Sequence, residues 1–141
     1  MIEYIDGANF EDQRGSIRFV NLFDLKNVRR FYIINNLDTS VLRGWSAHKV
    51  ESRWFYVIRG SFMIDIVKID DWEVPSQNLQ VTKTVLSYEE NKVLHLTSGY
   101  GTMIQAINPN SELLVFSDFG IENANDDNYK YPVDYFTNWQ S

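Results

Sequence analysis

The chain has 141 residues, 44% of them apolar and 15% aromatic, enough for one sizeable core and too apolar for disorder. A formal charge of −6 argues against a nucleic-acid binder. The absence of cysteine excludes disulfides and thiolate metal sites and suits the cytosol.

No apolar run approaches the ~18 residues of a membrane span. Residues 1–6, Met1-Ile2-Glu3-Tyr4-Ile5-Asp6, lack the basic start and apolar stretch of a signal peptide. No linker, repeat or low-complexity tract interrupts the chain, so the expectation is one cytoplasmic domain over 1–141.

Helical periodicity is nearly absent. Short β-branched or aromatic runs recur instead, each followed by a turn signal. The first is 16–21, entered from Asp12-Gln13-Arg14-Gly15, and 22–27 reads as a loop or helical turn. Residues 29–35 form a strand closed by 36–40. Next come 41–49, Val41-Leu42-Arg43-Gly44-Trp45-Ser46-Ala47-His48-Lys49. Residues 53–59 and 62–69, separated by Gly60-Ser61, read as a hairpin on a two-residue primed turn. The first arm is apolar or aromatic on both faces, which predicts a central strand. Residues 70–77 read as an exposed loop, and 79–86, 93–96, 102–107 and 113–116 as further strands. The aromatic tail, with Tyr129, Tyr131, Tyr135, Phe136 and Trp139, should pack back on the body of the protein or on a partner subunit. Many short strands with few helices predict an all-β double-sheet jelly roll with a short irregular or helical C-terminal tail.

Strand alternation gives 41–49 two faces. Leu42, Gly44, Ser46 and His48 share one, a stripe of small residues that leaves space beside an imidazole able to carry protons near neutral pH. Val41, Arg43, Trp45, Ala47 and Lys49 share the other, unless a bulge breaks the alternation. The second histidine, His95, lies between Leu94 and Leu96 and reads as structural.

Asp12-Gln13-Arg14-Gly15-Ser16, Arg30-Phe31-Tyr32, Arg43-Gly44-Trp45-Ser46-Ala47-His48-Lys49 and Arg59-Gly60-Ser61 occur in a telling order. They resemble the sugar-nucleotide cupins: dTDP-4-dehydrorhamnose 3,5-epimerase and, more closely, the dTDP-4-keto-6-deoxyhexose 3,4-ketoisomerases. The resemblance runs from about Asp12 to Phe116. It implies a double-stranded β-helix cupin barrel, a homodimer, and cofactor-independent proton transfer beside the carbonyl of a 4-keto-6-deoxy sugar nucleotide in deoxysugar or surface polysaccharide biosynthesis. The ketoisomerase pattern Arg-Gly-x-His-Ala-His-Lys keeps its second histidine here as His48 and has Ser46 at the first. The epimerase pattern Pro-x-Gly-Phe-Ala-His-Gly corresponds to residues 97–103, with Thr102 at its histidine.

The roles follow from that pattern. His48 would be the base or proton shuttle and Tyr32 a second proton carrier, its ordinary pKa near 10 suiting an acid. Ser46 would hydrogen-bond His48 or a substrate hydroxyl. A dTDP sugar needs local cations: Arg14 and Arg43 are the first choices, then Arg53, with Lys49 nearby. Tyr100 and Thr102 stand on the substrate side by resemblance. A base or sugar could stack on Tyr32, Trp54 or Tyr56, although core packing is the plainer reading for aromatics in strands. Ser46, His48, Glu51 and Thr102 supply too few ligands for a metal, so none is expected. With Ser46 and Thr102 at histidine positions, the alternative is a degenerate cupin that binds a carbohydrate or nucleotide sugar without turnover, or a structural dimer.

Overall fold

β-branched and aromatic residues favour a pleated, half-buried surface, and they build strands along most of the computed structural model, which describes residues 1–139. In chain order these are β1 (Ile2–Asp6), β2 (Ala8–Asp12), β3 (Gly15–Phe19), β4 (Arg30–Asn36), β5 (Leu42–His48), β6 (Arg53–Arg59) and β7 (Ser61–Lys68). There follow β8 (Thr82–Ser87), β9 (Lys92–Leu96), β10 (Tyr100–Ala106), β11 (Ser111–Ser117), a 3-10 turn (Ile121–Asp127) and β12 (Tyr129–Lys130). No helix among the described residues is long and apolar enough to cross a membrane.

One sheet has the order β1-β9-β6-β11-β4 and the other β12-β5-β10-β7-β8; β2 and β3 form a separate antiparallel ribbon. Successive strands β4 and β5, β6 and β7, and β10 and β11 fall in opposite sheets. This crossing between two antiparallel sheets makes the predicted jelly roll. Between the sheets lie Phe55, Val57, Phe62, Ile64, Ile66, Leu94, Leu113 and Val115, with Tyr32 and Ile34 packed against them. A second apolar cluster covers the outer face of the other sheet. There the tail lays Tyr129, Tyr131, Val133, Tyr135 and Phe136 over Trp45, Ala47, Val67 and Met103. The aromatic tail thus packs back on the protein, as its composition predicts.

The expected hairpin at Gly60-Ser61 is corrected. β6 pairs with β9 and β11, whereas β7 pairs with β10 and β8, so the two arms belong to different sheets. Gly60 is the corner between them. Its φ is +74°, and a Cβ there would lie 2.1 Å from Ser111 Oγ, so the position needs glycine. A Gly-Ser signal reports a sharp bend, but the partner of each arm is set by long-range packing. β6 is central in its sheet, as expected. β1, β2 and β12 are strands that the apolar runs did not announce. β10 begins at Tyr100, two residues before the expected start at 102, and β8 begins only at Thr82, three residues after the expected start at 79.

Candidate active site

Cross-strand registration explains how distant residues converge. Arg30 on β4 pairs with Ser117 on β11, which pairs with Arg53 on β6. On the facing sheet, Lys130 pairs with Ser46, and Ser46 with Thr102. These two rows face each other across a cavity of about 720 Å³ between the β4 and β5 edges. Tyr32, Arg43, Gly44, His48, Glu51, Ala124, Asn125 and Asn128 complete most of its wall. Four of its side chains carry cations, Arg30, Arg43, Arg53 and Lys130, against the single carboxylate of Glu51.

β5 follows the predicted alternation at its C-terminal end. Gly44, Ser46 and His48 line the cavity, whereas Trp45 and Ala47 are buried under the tail. Toward its start the register slips: Thr102 faces Ser46, but Ile104 faces Arg43. The extra residue on β5 breaks the parity. Arg43 therefore joins the cavity wall, where its Nε donates to Asn36 Oδ1 at 2.7 Å and its guanidinium reaches the Asn35 carbonyl at 3.2 Å.

His48 lines this cavity. Its Nδ1 lies 2.7 Å from the main-chain oxygen of Asp127 and 3.0 Å from Glu51 Oε2. Both neighbours accept hydrogen bonds, so the proton of the neutral ring belongs on Nδ1 and Nε2 keeps its lone pair. Burial lowers the imidazole pKa to about 4, helped by the Arg53 charge and opposed by the Asp127 carbonyl. Glu51 is itself held by Arg30 at 3.2 Å and by the Ser117 hydroxyl at 2.5 Å. Arg53 is 4% exposed and donates to Thr102 Oγ1 at 3.2 Å. Burial lowers its pKa as well, against the pull of Tyr32, Glu51 and Asp127. Tyr32 is half-buried beneath Arg30, whose guanidinium carbon sits 5.3 Å from the ring centroid, and desolvation raises its phenol pKa. Ser46 donates its hydroxyl to Asn128 Oδ1 at 3.3 Å, not to His48.

Of the residues singled out in the sequence, His48, Tyr32, Ser46, Arg43, Arg53 and Thr102 meet in this cavity. The others are placed elsewhere. Arg14 caps the β2–β3 ribbon, 79% exposed and paired with Asp12 at 2.6 Å. Lys49 is exposed beside the site and contributes only its main-chain N–H, to Asp127. Trp54 lies on the outer face of its sheet, stacked on His95 at 4.5 Å between centroids. That stack gives His95 the structural place expected of it. Tyr100 is the cross-strand neighbour of His48 but lines a separate opening with Ile2, Lys68 and Thr82. Arg30, Lys130, Asn128 and Asp127 carried no individual signal as site residues. Arg30 was visible as part of a basic run beside Tyr32, and its inward direction follows from sharing Tyr32's face of β4. Among the described residues no three His, Asp or Glu side chains converge where a metal could be held.

No protein-family profile and no curated protein sequence matches the chain. Solved structures do. A variant of the 3,4-ketoisomerase QdtA from Thermoanaerobacterium thermosaccharolyticum, in complex with TDP-4-keto-6-deoxyglucose, superposes with a TM-score of 0.73 at 17% identity, over 96% of this chain and 91% of that one. A 3,4-ketoisomerase from Helicobacter canadensis gives 0.70 at 19% identity, over 96% and 95%. A dTDP-4-dehydrorhamnose 3,5-epimerase from Bacillus anthracis, with TDP and PPi bound, gives 0.74 at 14% identity, over 94% and 79%. Across nearly its whole length, then, the chain has the jelly-roll fold of the sugar-nucleotide cupins, the fold on which these ketoisomerases and epimerases are built.

Proposed function

We propose that this protein is a sugar-nucleotide keto-isomerase or epimerase, moving a proton next to the carbonyl of a dTDP-4-keto-6-deoxyhexose in the cytoplasm. One observation carries the reading. His48 has Nδ1 committed to acceptors and Nε2 left for a cavity whose other wall holds a phenol and a buried guanidinium.

The chemistry follows from that arrangement. Neutral His48 takes the proton from the carbon beside the carbonyl. The C–H electron pair becomes the new C=C bond, and the carbonyl π pair moves onto oxygen. Arg53, buried and preorganised, faces that developing negative charge. Tyr32, kept protonated by burial, supplies the proton that makes the enediol. For a 3,4-ketoisomerisation the neighbouring hydroxyl gives its proton to the Tyr32 phenolate and becomes the new carbonyl, while the C=C pair takes the proton of the His48 imidazolium at the former carbonyl carbon. For an epimerisation the enol returns its proton to Tyr32, and the original carbon is protonated by solvent from the other side while His48 releases its proton to solvent. Arg30, Arg43 and Lys130 offer cations for a diphosphate.

The test is incubation with dTDP-4-keto-6-deoxyglucose in deuterated water, followed by proton NMR of the sugar. Deuterium should enter beside the carbonyl, and His48→Asn should reduce the exchange rate by about 100-fold or more. Binding without exchange overturns the catalytic reading in favour of a binding protein.

We further propose a homodimer. Phe31 and Ile33 are 63% and 50% exposed on the edge strand β4. They continue an outward apolar surface through Phe116, Leu114 and Phe23. Contiguous apolar surface on an open sheet edge favours a second chain.

A further inference from the structure

Asp127 is 3% exposed and ends the 3-10 turn that forms one wall of the cavity. Its carboxylate accepts main-chain N–H bonds from Lys49 at 2.8 Å, Val50 at 3.0 Å and Glu51 at 2.7 Å. These are the residues immediately after His48. Its own main-chain carbonyl receives His48 Nδ1–H at 2.7 Å. One residue thus holds both the turn that carries the imidazole and the ring itself. A carboxylate spread over successive N–H groups fixes the turn in one conformation and stays satisfied although buried.

We infer that Asp127 is a positioning residue for the reaction proposed above: the C-terminal segment, clamped through the Asp127 carboxylate to the turn after His48, presents the Asp127 carbonyl to Nδ1 and so sets Nε2 as the base. The inference rests on that functional reading only for its consequence in turnover. The tautomer it requires is a property of the free protein. Each neighbouring charge comes from a different element: Glu51 from the turn, Arg53 from β6, Lys130 from β12 and Asp127 from the 3-10 turn. Glu51 alone could orient the ring loosely, since a carboxylate at 3.0 Å accepts the same proton. The carbonyl adds a second acceptor fixed in the main chain, and its position depends on the clamp.

Nitrogen-15 NMR of the labelled imidazoles tests this directly. His48→Asn identifies the His48 signals, because His95 is the only other histidine. The wild-type protein should show neutral His48 with its proton on Nδ1, titrating at a midpoint of about 4. In Asp127→Ala the Nδ1–H form should lose its dominance, and the midpoint should fall further below about 4, because the Asp127 carbonyl contact and carboxylate charge both favour the imidazolium. Exchange of the keto-sugar should then slow by about tenfold or more in kcat with KM little changed. Asp127→Asn, which keeps one acceptor oxygen, should fall between the two. A wild-type ring protonated on Nε2 overturns the inference, as does a folded Asp127→Ala with unchanged tautomer and midpoint. If Asp127→Ala does not fold, the wild-type tautomer still decides. If the imidazole behaves as expected but no sugar turns over, the positioning stands and the isomerase reading fails.

Discussion

At the scale of single residues, a cavity edge turns His48 from an ordinary imidazole into a neutral one. Its pKa falls from 6.5 to about 4, so between these values the unfolded chain binds the proton and the folded one does not. Stability should therefore be fully present above pH 6.5 and decline as pH falls toward 4, by up to about 3 kcal/mol from this residue. Urea denaturation at pH 7 and pH 4.5 should show a steeper loss for wild type than for His48→Asn; equal slopes would contradict the burial argument. Tyr32 has the opposite tendency and remains a proton donor. Tyr32→Phe removes the hydroxyl and leaves the ring that packs on the core. It should lower exchange by about 100-fold while shifting the melting temperature little, read by the same NMR assay and by calorimetry. The sequence made His48 visible as one of only two histidines, on a strand face of small residues, and Tyr32 visible through the resemblance that matches it to a family tyrosine. Nothing in the residue type distinguished Asp127 from the acidic neighbours around it, since its role depends on which N–H groups it meets.

At the scale of elements, the small residues of β5 exposed the site. Alternation placed Gly44, Ser46 and His48 together, and the structure keeps them together. Arg43 escaped the same rule because a bulge is a property of two strands in register, and the partner is not encoded beside it. Gly60 shows the converse. The turn signal was correct as local backbone chemistry, yet it marks a passage between sheets. Gly60→Val should destabilise the fold by about 2 kcal/mol or more, because it combines a positive φ with a collision at Ser111. A denaturation midpoint within error of wild type would show that the corner can relax.

At the scale of the molecule, acidic net charge and a cationic cavity coexist. The sum of −6 excludes a broad basic surface but not a local one. Arg30, Arg43, Arg53 and Lys130 come from four strands of both sheets. The exposed row on β4 predicts assembly. Light scattering after size exclusion should give twice the chain mass, and Phe31→Asp with Ile33→Asp should give the single-chain mass with the strand content retained by circular dichroism. A wild-type monomer at tens of micromolar would remove the dimer.

The sequence by itself determined most of the strand runs, the jelly-roll class and the face of β5 that carries Gly44, Ser46 and His48 into the cavity. Each is written in spacing of two and in residue chemistry, which act over a few neighbours. Only the tertiary structure decided that β6 and β7 part at Gly60, that Arg30 and Lys130 face the same cavity, that Arg14 and Trp54 stay outside it, and that Asp127 holds His48 across 79 residues of sequence. Those outcomes depend on which strands register and which buried donors find acceptors. Such choices are made by the burial of the whole chain at once, so no local stretch contains them.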